Sequence, residues 1–407
     1  MQPFVAQSPT RIVFGSGKLA DAGVEAKKLG SKALLLTGRT AMQKTGALAK
    51  VLGLLKSVGM EVVPFEAVEP NPRQETLDQA VALGLKEGCD CVVGLGGGSP
   101  MDSAKGVAAA MGFVRHNADP VGARFIAPSV WEWTSAMGAK RRKVENPLPT
   151  LLISSTAATG SEGNCAAVIT KWATHEKAVL WDLGAFPSTS IVDPQLMLSL
   201  SLESTRDGAV DMMLHVLEQH FNGDDKAVVQ DRISEGLCLG VMESLAALEK
   251  DLNDLTAREN LSWASVAALL GGGGPNWGRA GGFTVHHLEH PLSGYTDVAH
   301  GRGLALLWPH YLRAIAGKRE AKIARLGHVL WGISHGDSAA EKSVSGLELW
   351  LKNRGFTQRL RDVGVTEALI PAMAADAVRL SGGGRSFLDA PVPLGVEKCE
   401  AVYRAAY

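Results

Sequence analysis

Between Ser31 and Gly98 the chain alternates two patterns that belong to different secondary structures, and this alternation narrows the possible folds more than any other feature. SKALLLTG (31–38) is a short apolar run ending on glycine, and ALAKVLGLLKSVGM (47–60) then sets leucine and valine at helical spacing. EVVPF (61–65) is again strand-like, TLDQAVALGLKEG (76–88) is again helical, and CDCVVGLGGG (89–98) is an apolar run that ends in glycines. A β-α-β-α order requires crossover connections, which place helices on both faces of a parallel sheet. PTLLISSTAATGSE (149–162) and TSIVDP (189–194) supply later strands.

Beyond Pro194 the texture changes. SLESTRDGAVDMMLHVLEQHF, VVQDRISEGLCLGVMESLAALEKDL and TARENLSWASVAALL are long and helix-periodic, and helices continue to the C-terminus between GGGG (271–274), Pro291 and GGG (382–384). The expected architecture is an α/β domain over residues 1–195 followed by an all-helical domain over 196–407. The irregular stretch 114–146 carries no assignable chemistry.

Composition excludes several function classes. With 41 basic and 42 acidic side chains the net charge is −1, so no basic face invites nucleic acid or an anionic membrane. MQPFVAQSPTRIVFG lacks the charged start and apolar core of a signal peptide, and no apolar run approaches a membrane span. Five scattered cysteines, at 89, 91, 165, 238 and 399, fit a reducing cytoplasm better than a disulfide framework.

Of the three glycine clusters only GGGS (96–99) follows a strand and opens a helix, SPMDSAKGVAAAMGF. There the backbone approaches a ligand closely, and the free N–H groups of a helix start attract a diphosphate. The spacing departs from G-x-G-x-x-G, so a standard Rossmann fingerprint is absent. SSTAATGSE, at another strand end, offers a second rim for the same crevice. After strand 31–37 come Gly38 and Arg39, with no acid beside them in sequence. A cation at this point suits the 2′-phosphate of NADP(H), where an acid would receive ribose hydroxyls.

TVHHLEHPLSGYTDVAH (284–300) holds four of the eleven histidines. His286 and His290 share a helical face, His287 points about 100° away, and Pro291 is expected to end that helix at His290. Asp211 and His215 likewise share a face within DGAVDMMLHVLE. Each residue alone reads as a core side chain. Several of them converging would make a nitrogen–oxygen site for zinc or ferrous iron. Spacing does not decide among His286, His287 and His290.

These segments together resemble the iron-containing (group III) alcohol dehydrogenase family, most closely its NADPH-dependent butanol dehydrogenase and broad-specificity aldehyde reductase branch. The likeness runs through VEPNP (68–72), GGGSPMDSAK (96–105), TAATGSE (156–162), IVDP (191–194), DGAVDMMLHVLE and HHLEHPLSGYTDVAHG. It implies a dinucleotide-binding α/β domain and a helical metal-binding and substrate domain. The family's metal positions fall on Asp211, His215, His286 and His300, for Fe2+ or Zn2+. His290 matches a residue beside metal and substrate, a candidate for proton transfer. Gly97, Gly98 and Ser99 match the diphosphate loop, and Asp102 lies near the nicotinamide end. Thr156, Thr159 and Lys177 match further cofactor contacts, while His287 has no family role. NAD-preferring relatives carry an aspartate where Gly38-Arg39-Thr40 stands, so the resemblance favours NADP(H) over NAD(H). It further implies a small alcohol or aldehyde substrate and a homodimer. Two readings compete. A lyase of the dehydroquinate synthase kind needs a Lys/Arg cluster, for which the ligand region offers mainly Arg279 and Arg302. A non-catalytic metal- or nucleotide-binding protein needs a closed site. Phe283, Trp277 and Tyr295 read equally as pocket lining or as core.

Overall fold

The computed structural model describes residues 2–117, 127–223, 225–279 and 281–407. The chain forms two compact units: Gln7–Leu200 with Leu252–Gly272, and Met1–Ala6 with Ser201–Asp251 and Gly273–Tyr407.

The first unit is the α/β one. Its strands are β1 (Arg11–Phe14), β2 (Lys32–Gly38), β3 (Glu61–Val68), β4 (Cys91–Gly96), β5 (Thr150–Ser154), β6 (Ala166–Lys171), β7 (Glu176–Trp181) and β8 (Thr189–Val192). Its helices are α1 (Ala22–Lys27), α2 (Ala41–Lys44), α3 (Ala47–Ser57), α4 (Gln74–Lys86) and α5 (Gly98–Asn117). Six strands form one sheet in the order β1-β8-β5-β4-β2-β3, every pair parallel, while β6 and β7 make a separate antiparallel hairpin. Side chains alternate across the sheet. Leu34, Leu36, Val92 and Leu152 enter a core with Leu77 and Val81 of α4 and Val107 of α5. Leu35, Val93, Leu151 and Ile153 enter the opposite core with Leu48, Val51 and Leu55 of α3. Burial on both faces is why these strands read as unbroken apolar runs. All five cysteines are free and buried.

Strand order also fixes where a ligand can sit. From β2 the chain crosses one way to β3, then returns past β2 to β4, so the order reverses between β2 and β4. Open α/β sheets bind ligands outside the carboxyl ends at such a reversal. The two ends here are Gly38 and Gly96.

The second unit is helical. Of the later helices, α6 (Leu202–Asn222) and α7 (Val228–Leu248) belong to it, whereas α8 (Leu255–Leu269) joins the α/β unit. The helical unit continues with α9 (Thr284–Thr296), α10 (His300–Trp331), α11 (Ala339–Lys352), α12 (Ile370–Ser381) and α13 (Val396–Ala406). A two-stranded hairpin, β9 (Phe387–Leu388) with β10 (Leu394–Gly395), interrupts this otherwise helical composition. Among the described residues no helix is long and apolar enough to cross a membrane.

Three local expectations differ from the structure. Helix α9 runs through Pro291 to Thr296 instead of stopping at His290. Proline forfeits one hydrogen bond to the preceding turn, a cost of roughly 3 kcal/mol, but Leu288, Leu292, Ser293 and Gly294 are buried and hold the last turn by packing. Helix α8 docks on the α/β unit because Ser265 Oγ accepts from Ala158 N and Gly160 N, at 3.0 and 3.3 Å. Strand β1 and the β6–β7 hairpin were not legible in the apolar pattern, since β1 has only four residues and Thr170, Lys171 and Glu176 dilute the hairpin. Of the segment 114–146, residues 118–126 lie outside the described residues. Its remainder includes Trp131 and Trp133, buried in the core beside α5.

Candidate functional site

Asp211 lies in the middle of α6, one turn before His215, and both side chains are buried. His286 lies in the first turn of α9, and His300 is the first residue of α10. The helical unit brings all four together. Asp211 Oδ1 lies 3.4 Å from His215 Nε2, 3.4 Å from His286 Nε2 and 3.8 Å from His300 Nε2. Asp211, His286 and His300 form the tightest set, each offering one ligand atom within 4.8 Å of the others. A tetrahedral ion bound at about 2.1 Å separates its ligands by about 3.4 Å. The observed spacing therefore fits a divalent ion.

Two further observations support that fit. Asp211 Oδ1 and His286 Nε2 are buried atoms with no hydrogen-bond partner among the described residues, a costly state unless another group engages them. The electrostatics also call for a cation. Burial alone would raise the Asp211 carboxyl, but the surrounding imidazoles outweigh it and hold the group well below the usual carboxylate range. Burial pushes His215 down to about 3, so it stays neutral and able to donate a lone pair. At His286 burial is outweighed by the Glu218 and Asp211 carboxylates, which lift it to about 10.

The neighbours sort the remaining candidates. His290 is buried, its ring centroid 6.0 Å from that of His300. His287 is outside the ligand set, and burial, reinforced by His286, pushes it down to about 3. Phe283 stands edge-on to His215 and His286, at 6.5 and 5.6 Å between centroids. Trp277 instead stacks on Phe4, and the Tyr295 hydroxyl donates to Asp376. Arg279 is bound to Asp231, and Arg302 to Asp207 and Glu203. Neither is a spare cation for a phosphorylated substrate.

In the α/β unit the glycine turn and the second rim meet directly. A Cβ built on Gly97 would lie 2.9 Å from Thr156 Oγ1, and one on Gly98 would lie 2.7 Å from Thr159 Cγ2. Gly98 and Ser99 open the 20-residue helix α5, and backbone N–H groups at a helix start suit an anion. Lys177, buried on β7, donates to Asn71 at 2.9 Å. Asp102 is buried with both oxygens engaged, one by Ser161 Oγ at 2.6 Å and the other by Val168 N at 2.8 Å. Burial raises its pKa, partly offset by Lys105. At the end of β2, Gly38 pairs in register with Val68, and Arg39 reaches out to the end of β3. There it meets an acid after all. Arg39 Nη2 lies 3.1 Å from Glu69 Oε1, a neighbour that sequence adjacency does not reveal because it sits just past the end of the next strand, β3.

The family models decide the identity. An iron-containing alcohol dehydrogenase model matches residues 9–194, and the C-terminal model of the Fe-containing alcohol dehydrogenase family matches residues 205–407. The chain belongs to the iron-containing alcohol dehydrogenase family. It is 34% identical to NADH-dependent butanol dehydrogenase B of Clostridium acetobutylicum, covering 94% of this chain and 95% of the relative. It is 28% identical to the NADPH-dependent aldehyde reductase YqhD of Escherichia coli over the full length of both. The crystal structure of NADH-dependent butanol dehydrogenase A from Thermotoga maritima superposes with a TM-score of 0.90 at 31% identity, covering 100% of this chain and 99% of that one. As an iron-containing alcohol dehydrogenase, this chain is a metal- and NAD(P)-dependent alcohol dehydrogenase or aldehyde reductase.

Two site residues escaped the sequence reading. Glu218 and Glu289, both fully buried, accept from His286 Nδ1 and His300 Nδ1 respectively. A faint signal existed. Glu218 follows His215 by three residues on one helical face, and Glu289 follows His286 by three.

Proposed function

We propose that the enzyme interconverts small primary alcohols and aldehydes with NADP(H) favoured over NAD(H), the α/β unit binding the dinucleotide and the helical unit the metal and substrate. When bound, a ferrous or zinc ion supplies Lewis-acid polarisation of the substrate oxygen, and the nicotinamide supplies or accepts hydride. Asp211, His215, His286 and His300 hold the ion, and three neutral imidazoles with one carboxylate leave it a net positive charge. Phe283 excludes water beside His215 and His286 and gives a short alkyl chain an apolar wall. His290 moves the proton to or from the substrate oxygen. Gly97, Gly98 and Ser99 bind the diphosphate through backbone N–H groups, with Thr156, Thr159 and Lys177 fixing the rest of the cofactor. Asp102 acts indirectly, since both its oxygens are engaged: it ties the start of α5 to Ser161 and Val168.

The observation that carries this reading is one carboxylate oxygen facing three imidazole nitrogens at 3.4 to 3.8 Å. The test is NADPH and NADH oxidation at 340 nm over short and aromatic aldehydes, with metal-stripped and Fe2+- or Zn2+-reconstituted enzyme. His300→Ala is expected to lose both metal and turnover. Retained metal stoichiometry with normal activity in that variant would refute the assignment.

Arg39 supports the NADP(H) preference, and Glu69 beside it partly neutralises that charge. A charged hydrogen bond is worth about 1.5–3 kcal/mol, so Arg39→Ala should lose about 10–100-fold in kcat/KM for NADPH and little for NADH. An equal loss with both coenzymes would sink the preference. Cytoplasmic residence is supported by five free, buried cysteines. For the proposed homodimer the check is light scattering, where a monomer mass in solution counts against it.

A further inference from the structure

The three imidazoles that face Asp211 are not supported alike. His286 Nδ1 meets Glu218, whose carboxylate also accepts Val285 N at 2.6 Å and His286 N at 3.1 Å. Glu218 on α6 thereby caps the N-terminus of α9, where a negative charge is favoured. His300 Nδ1 meets Glu289 on α9. Gly303 makes that contact possible, since a Cβ there would lie 2.9 Å from both Glu289 Cγ and Glu289 Oε1. His215 Nδ1, by contrast, is buried and has no hydrogen-bond partner among the described residues. An imidazole that donates Nδ1–H to a carboxylate is locked in the tautomer that leaves Nε2 as a lone pair, and its ring orientation is fixed.

We propose that Glu218 and Glu289 are positioning residues that aim His286 and His300 at the ion, and that His215 is the ligand held least firmly. The proposal rests on the metal-site reading above and goes beyond it by ranking the ligands. Loss of a brace leaves the ring free to rotate or to place its proton on Nε2, which blocks ligation. With no carboxylate on Nδ1, the His215 ring is oriented by its rotamer, by its stack on His286, 4.8 Å between centroids, and by Phe283 standing edge-on at 6.5 Å.

The test is Zn2+ affinity of stripped protein, measured by competition with a chromogenic chelator, together with the visible spectrum of the Co2+-substituted form. Glu218→Gln and Glu289→Gln should each weaken Zn2+ binding about 10–100-fold and alter the Co2+ bands. Gly303→Ala should reproduce the Glu289→Gln phenotype by displacing that carboxylate, and it carries the test with Glu289→Gln if Glu218→Gln does not fold. His215→Ala should retain tighter Zn2+ binding than His300→Ala. Wild-type affinity and an unchanged Co2+ spectrum in Glu289→Gln would overturn the bracing role. Equal or greater loss in His215→Ala would overturn the ranking. If His300→Ala itself binds Zn2+ normally, the metal site fails and the proposal falls with it, a result separable from normal binding in the glutamate variants alone.

Discussion

Asp193, in the IVDP segment, accepts three backbone N–H groups: Gly17 at 3.1 Å and Gln195 at 3.1 Å on one oxygen, and Leu19 at 2.9 Å on the other. Replacing it with alanine leaves those donors without a partner in a site 1% exposed. Asp193→Ala should therefore lose about 3 kcal/mol or more, read as a lower midpoint in urea. Glu162 makes a different demand. It is fully buried, and burial pushes its carboxyl up to about 7, with its own backbone N–H and Lys105 pulling it only part-way back. The folded state keeps this proton over the range where the unfolded chain, with a pKa near 4.5, has released it. Its contribution is thus full below about 4.5 and lost as pH rises through about 7, at most about 3 kcal/mol. Wild type should lose stability between pH 5 and pH 8 relative to Glu162→Gln, and parallel pH profiles of the two would contradict the assignment. Neither role was legible in the sequence, because IVDP and TGSE mark turns without saying what faces them.

Among the elements, the turn between β4 and α5 is set by contact with the threonines of the β5 rim. Because a methyl group on Gly98 would press on Thr159, Gly98→Ala forces either the turn or the rim outward. Overpacking of this kind costs about 1–3 kcal/mol, which should appear as about 10–100-fold weaker NADPH binding in a fluorescence titration, with metal content unchanged. Gly160→Ala acts on the same rim from behind, since Gly160 has φ 57° and its Cβ would lie 2.7 Å from Ser265 O of α8. The strand–glycine–helix unit itself was readable from apolar runs and turn residues. That α8 braces it was not, because helical periodicity identifies a buried face and not its partner.

At the scale of the molecule the two units should respond to different ligands. An ion that binds only the folded form stabilises it by about 2.7 kcal/mol at a free concentration of 100 Kd. Added Zn2+ should protect amides of α6, α9 and the start of α10 in hydrogen exchange, while NADPH should protect residues 91–102 and 150–165. Zn2+ protection confined to the α/β unit would contradict the division of labour. By itself the sequence determined the parallel sheet, the glycine turn and the family, because these depend on local periodicity and on side-chain order. The family resemblance named Asp211, His215, His286 and His300, and tertiary structure supplied the distances at which they meet; it alone decided that Glu218 and Glu289 stand behind two of them and that Glu69 pairs with Arg39. Apart from Asp211 and His215, which share one face of α6, those contacts join segments whose spacing along the chain carries no distance information, and packing of separate helices and strands is what brings their charges within reach.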